Sequence, residues 1–120
     1  MISHNTDLGS ITVDTNVYRN IAGLAASNCF GVKGMAARSR TDGLIYLLRK
    51  ESANKGVSVT FNDDRSITID LHIMVNNNVN IPVVASSIIS EVRYNVIKST
   101  GAAVRAINVH VDSIMMDNND

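Results

Sequence analysis

Val57-Ser-Val-Thr-Phe61 and Ser66-Ile-Thr-Ile-Asp-Leu-His-Ile-Met-Val-Asn76, joined by Asn62-Asp63-Asp64-Arg65, decide the fold. In both runs apolar and polar residues alternate with a period of two, the spacing at which successive side chains of a strand point to opposite faces. Val57, Val59 and Phe61 share one face, and Ile67, Ile69, Leu71, Ile73 and Val75 share another. A four-residue polar loop between two such runs makes an antiparallel hairpin with one buried face and one wetted face.

Working outward towards the N-terminus, Ile11 and Val13 alternate with Ser10, Thr12 and Asp14, which predicts a short strand. Asp14 or Thr15 can then cap a helix running to about Asn28, with Val17, Ile21, Leu24 and Ala25 as its inner stripe and Gly31 beyond its end. The stretch from Asp42 to Glu51 predicts a second, shorter helix with Leu44, Leu47 and Leu48 turned inward. Towards the C-terminus, Pro82 stands where the first turn of a helix tolerates it. Val84, Ala85, Ile88, Ile89, Val92 and Val96 recur at helical spacing, and Gly101 is the expected left-handed stop. A last strand carries Ile107, Val109 and Val111 on one face and Asn108, His110 and Asp112 on the other.

The predicted order is β-α-(short α)-β-β-α-β. Because each strand has a polar second face, the helices should cover one side only of a mixed sheet of three to four strands. The fold class is therefore α+β, a two-layer sandwich. The strand–helix–strand step from residue 66 to residue 112 fits a right-handed crossover between parallel strands. Residues 1–8 read as a flexible N-terminus, 9–114 as one domain and 115–120 as a flexible tail.

The chain has 120 residues, eleven Lys plus Arg, eleven Asp plus Glu and a formal charge of +0. That length suits one domain, and the charge balance excludes a globally basic nucleic-acid binder without excluding a local basic patch. The single cysteine, Cys29, has no partner for a bridge. No apolar run approaches the ~20 residues a bilayer span needs, and the first thirty residues do not read as a signal peptide. The expectation is a cytoplasmic protein.

Three groups of residues bear on chemistry. Gly31-Val32-Lys33-Gly34 matches the GxxG clamp with which KH domains hold a nucleic-acid backbone. From Lys33 to Lys55 the chain has six cations (Lys33, Arg38, Arg40, Arg49, Lys50, Lys55) against two acids, Asp42 and Glu51. Gly31, Lys33, Gly34, Arg38 and Arg40 are thus the candidate contacts of a KH-like RNA-binding module. The plainer reading of the same residues is a helix stop followed by a solvated basic face. Asp70, His72, His110 and Asp112 fall on the outward faces of two strands, and imidazole with carboxylate could supply ligands to a transition metal. The alternative is ordinary polar cover of a wetted sheet. Ser86, Ser87 and Ser90 lack a nucleophile elbow, and Cys29 reads as a small packing residue. No acid, base and nucleophile assemble, so the reading is a protein that is not an enzyme and uses no cofactor.

Taken in order, the motifs resemble the bacterial alkaline shock protein family of envelope stress response proteins in Gram-positive bacteria. The likeness rests on Gly9-Ser-Ile-Thr-Val13, Ile21-Ala-Gly-Leu-Ala-Ala-Ser27, Phe30-Gly-Val-Lys-Gly-Met35, Asp42-Gly-Leu-Ile-Tyr-Leu-Leu-Arg49, Ile69-Asp-Leu-His-Ile-Met-Val75, Ile81-Pro-Val-Val-Ala85 and Thr100-Gly-Ala-Ala-Val-Arg-Ala-Ile-Asn-Val-His-Val111. It covers residues 9 to 114. The family's usual Glu after Ile-Pro is Val83 here, and the loop from Asn76 to Asn80 lacks the aromatic that relatives often carry.

The resemblance implies a non-enzymatic scaffold or interaction protein of the envelope stress response. Its implied partner is a membrane-anchoring protein carrying a related domain, and for some members a homo-oligomer. For the subgroup that Asp42–Arg49 resembles, it implies a neighbouring dihydroxyacetone-kinase-like or fatty-acid-kinase-like enzyme that the protein would regulate. Direct membrane attachment is not expected from the residues, because Leu44, Leu47 and Leu48 are assigned to covering the sheet.

Overall fold

A computed structural model describes residues 2–116 of the chain. Its elements are β1 (Ile2–Thr6), β2 (Gly9–Val13), α1 (Thr15–Ser27), β3 (Val32–Arg38), β4 (Ile45–Leu47), a 3-10 segment (Lys50–Gly56), β5 (Val57–Phe61), β6 (Ile67–Asn76), α2 (Ile81–Thr100) and β7 (Val104–Met115).

The hairpin that decides the fold is β5–β6. It pairs antiparallel from Val57↔Leu71 to Phe61↔Ile67. Its turn is closed by Asn62, which donates from its side-chain amide to Ser66 Oγ at 3.0 Å and Thr68 Oγ1 at 3.1 Å. β7 runs parallel to β6 along its whole length, from Ile67↔Val104 to Asn76↔Met115, with two irregularities of register. β3 pairs antiparallel with the far half of β6, at Val75, Met74 and Ile73. Since β7 fills one edge of β6, β5 and β3 share the other edge end to end. β4 then adds to β3, completing a five-stranded sheet.

Ile67, Ile69, Leu71, Ile73 and Val75 are all fully buried under the two helices. Each such side chain contributes roughly 1.5–3 kcal/mol of burial, which makes this row the centre of the core. Thr68, Asp70 and His72 stay on the open face, so the helices cover one side of a mixed sheet and the α+β sandwich stands.

α2 behaves as its pattern predicts. Asn80 Oδ1 accepts from the Val83 amide at 3.1 Å, Pro82 lies in the first turn, and Gly101 closes the helix at φ 71°. Val84, Ile88, Val92 and Val96 are its buried stripe, while Ile89 is exposed. α1 has the predicted bounds, with Asp14 Oδ1 accepting from Asn16 N at 2.9 Å, but its phase is different. The buried residues are Tyr18, Ala22, Gly23 and Ala26, whereas Val17 and Leu24 are exposed. Small side chains win because the helix lies close to the 3-10 segment. A Cβ on Gly23 would stand 3.0 Å from the Ala53 carbonyl oxygen.

Three expectations are corrected. The helix expected from Asp42 to Glu51 is instead a turn, the strand β4 and the start of the 3-10 segment. Of its three leucines only Leu48 is buried, and its amide donates to Met35 O at 2.8 Å. Left-handed Gly43 (φ 70°) and the pairing of β4 with β3 override the helical spacing. Second, β3 was not anticipated, so the sheet has five strands rather than three to four. Third, residues 2–6, expected to belong to a flexible N-terminus, form β1, which pairs with β2 in a two-stranded sheet separate from the main one. Thr6 Oγ1 ties the turn, accepting from Leu8 N at 3.3 Å and donating to Gly9 O at 3.0 Å. This hairpin buries neither face over residues 3–12, and β1 has no hydrophobic alternation of its own to mark it as a strand. β7 also extends to Met115, one residue into the expected tail, and residues 117–120 of that tail lie outside the described residues.

Candidate functional site

Parallel pairing of β6 with β7 places Asp70 opposite Asn108 and His72 opposite His110 on the open face. The four expected residues come together there as two diagonal pairs. His110 Nε2 meets Asp70 Oδ1 at 3.0 Å, and His72 Nδ1 meets Asp112 Oδ2 at 3.0 Å. The imidazoles stack between the pairs with centroids 4.6 Å apart and planes 13° from parallel. Asn108 donates its side-chain amide to Asp70 Oδ1 at 3.1 Å. The hydrogen bond from His110 holds the Asp70 carboxyl below its usual range, with partial burial opposing and Asn108 assisting.

In this arrangement each carboxylate serves one imidazole nitrogen, and the ligands face each other instead of a common point. Among the described residues no group of three His, Cys, Asp or Glu is placed to hold a metal ion. The chemistry on view is a hydrogen-bonded ladder joining β6 to its parallel neighbour β7 at the sheet's edge, with exposed ring edges that can meet a polar partner.

The GxxG stretch is not a loop between helices. Gly31 closes the turn after α1 at φ 86°, and Val32-Lys33-Gly34 is already strand β3. Both glycines answer to packing. A Cβ on Gly31 would come within 2.7 Å of Val84 Cγ2, and one on Gly34 within 2.9 Å of Leu47 Cδ1. Nor do the expected cations act together. Arg38 donates its guanidinium to Gly43 O at 2.7 Å and so shapes the β3–β4 turn, and Arg40 is in that turn. Lys33 instead lines a cavity with Arg49 and Lys50, a grouping that helical spacing over 42–51 concealed.

On the opposite layer, α1 and α2 leave a groove of about 570 Å³. Leu24, Cys29 and Phe30 line it on one side and Ser87, Glu91 and Asn95 on the other. Phe30 is 91% exposed, although its neighbours in sequence pack inward. Burial, and secondarily the Glu91 carboxylate, push the Cys29 thiol above its usual range, and the thiol donates to Ala25 O at 3.3 Å. A thiol held protonated is a poor nucleophile. Helical spacing conceals this groove, because it places Leu24 on the inner stripe of α1 whereas the side chain is exposed.

With this geometry in view, comparison with known proteins assigns the relationship: the model of a family of cell envelope-related function, the alkaline shock protein family, matches residues 3–116. The chain belongs to that family. It is 35% identical over 118 residues to the uncharacterised protein YloU of Bacillus subtilis, covering 98% of each chain. Similarity to the uncharacterised protein YqhY of the same bacterium is also 35%, over 117 residues, 98% of this chain and 85% of that one. An uncharacterised protein of Streptococcus pyogenes is 34% identical over 111 residues, 92% of this chain and 91% of its own length. No solved structure matches the chain. The family's function is cell envelope-related, and none of these relatives points to an enzymatic family. Among the described residues, no helix is long and apolar enough to cross a membrane.

Proposed function

We propose that the protein is a non-enzymatic interaction protein of the cell-envelope stress response, working on the cytoplasmic side and held at the membrane through a protein partner. The observation that carries this reading is the groove between α1 and α2, framed by Phe30 and Leu24. A fully presented aromatic beside a shaped groove with a polar rim is the usual anatomy of a protein-binding site. Membership in a family of cell envelope-related function supplies the setting.

The experiment is a tagged pull-down from the native cell, with proteins and RNA both identified, using the wild-type chain and Phe30→Ser. A membrane protein recovered with the wild type and lost with Phe30→Ser is the expected result. The same set of proteins recovered with both chains overturns the assignment to this groove. Recovery of RNA in place of protein favours the KH-like alternative, and recovery of a kinase-like enzyme favours the regulatory one.

A further inference from the structure

The turn from β4 into the 3-10 segment gathers charge that the expected helix would have dispersed. Lys33, at a register irregularity of β3, lines a cavity of about 200 Å³ together with Arg49, Lys50, Ser27 and Gly34. No acidic side chain lines it. Glu51 lines the neighbouring groove with Asn20, Asn54 and Lys50, which borders both, and Asp42 is engaged by the Leu44 amide at 3.0 Å.

Next to these cations the chain exposes apolar side chains. Leu47 is 37% exposed and lies over Gly34, on the other face of β4 from Tyr46. Leu44 and Tyr46, at the outer end of the same β3–β4 hairpin, are 65% and 50% exposed. These leucines were expected to cover the sheet, which was the argument against contact with lipid. Leu44 and Leu47 are instead presented to solvent, so covering the sheet does not keep Leu44 from lipid.

We propose that the cavity lined by Lys33, Arg49 and Lys50 takes the phosphate of an anionic phospholipid headgroup, with Leu44 and Tyr46 resting against the membrane interface. Cations bordered by aliphatic and aromatic side chains match the composition of an interfacial surface, where apolar burial and attraction to anionic lipid act together. RNA fits less well: its single-stranded bases need aromatic platforms, and this patch has Tyr46 alone beside a GxxG stretch that forms no clamp. The proposal goes beyond the groove between the helices, which lies elsewhere and takes a protein. A single weak interfacial contact gives marginal, reversible attachment, so a second tether is its natural complement.

The test uses the full chain with protein-free vesicles, and so is independent of the pull-down. Sedimentation is measured with phosphatidylcholine vesicles and with mixed phosphatidylglycerol–phosphatidylcholine vesicles, at low and at physiological salt. Binding to the anionic vesicles only, weakening as salt rises, is expected. Each cation near an anionic surface is worth about fivefold in partition, so Lys33→Gln with Lys50→Gln should lower it about twenty-five-fold. Leu44→Ser should lower it severalfold and leave the salt dependence in place. All positions are exposed, and circular dichroism checks that the variants remain folded.

Two further arms separate the sources of phosphate. Inorganic phosphate at millimolar concentration should shift the Lys33, Gly34 and Lys50 amide resonances while displacing little protein from vesicles. Single-stranded RNA should not displace it. Failure to sediment with anionic vesicles at low salt, equal binding to both vesicle types, or indifference to the double substitution overturns the proposal. Displacement by inorganic phosphate alone would make the site one for a soluble phosphate, and displacement by RNA would hand it to nucleic acid; either result overturns the lipid assignment.

Discussion

Tyr18 shows how one side chain can be indispensable for its shape and burdensome for its chemistry. It is fully buried, meets Phe61 edge-to-face at 6.0 Å, and its hydroxyl is the buried side-chain polar atom without a hydrogen-bond partner among the described residues. A buried unsatisfied hydroxyl costs about 1–3 kcal/mol, so Tyr18→Phe should stabilise the fold by ~1 kcal/mol. For a domain of this size that raises the melting temperature by roughly 4 °C, readable by calorimetry. Asp70 makes the opposite case, a polar residue whose partners favour its charge. Its carboxyl is held below the ordinary 3.8 chiefly by His110. The stabilisation from a lowered pKa is present above the unfolded value and lost as pH falls through the folded one. Asp70→Asn should therefore destabilise at neutral pH, with the difference from wild type vanishing at the acid end of a denaturant series. A gap that stays constant down to the acid limb would remove this account. Alternation placed Asp70, His72, His110 and Asp112 on one face from the sequence. The diagonal pairing was not legible, because it depends on the parallel register of β6 and β7.

At the scale of elements, legibility followed how much of each segment's stability is local. α2 carries its own cap, stripe and stop, and β5–β6 carries strict alternation with a polar turn, so both could be read directly. β3 carries none of these. Val32-Lys-Gly-Met-Ala-Ala-Arg38 is poor in β-branched residues and is a strand because β6 and β4 pair with its two edges. Propensity yields to tertiary pairing in such a segment, and with β3 went the basic cavity. α1 is legible in extent but not in phase, since helical spacing puts bulky Val17 and Leu24 inward where close packing on Ala53 demands Ala and Gly. The hairpin β1–β2 is the converse, a local structure with little tertiary support: residues 3–12 are exposed, Leu8 wholly so. Removing residues 2–13 while keeping the Asp14 cap should therefore change the melting temperature by less than about 4 °C, corresponding to under ~1 kcal/mol. A larger drop would show that Val13, the part of the hairpin packed against the core, matters more than its half-burial suggests.

For the whole molecule, β6 is the strand on which everything else depends. β7 occupies one of its edges throughout, β5 and β3 divide the other, and both helices bury its inner row. Its amides can be freed only by separating the entire sheet, which sets their opening free energy at the global value, on the order of 5–15 kcal/mol. The β1–β2 hairpin opens without disturbing any of this, and isolated two-stranded hairpins are marginal in water. Amide-hydrogen exchange in dilute solution should accordingly rank Ile69, Leu71 and Ile73 among the slowest positions and residues 3–12 among the fastest, with the β3–β4 hairpin between them. The ranking joins fold to function, because the two surfaces proposed to meet partners rest on elements of different support. The groove is built on helices packed to the core and should be pre-formed, whereas the basic turn lies on a three-residue edge strand that can adjust to a membrane. Protection of residues 3–12 as strong as that of β6 in a dilute sample would mean that the hairpin is covered, and the description of it as a free-standing arm would fall.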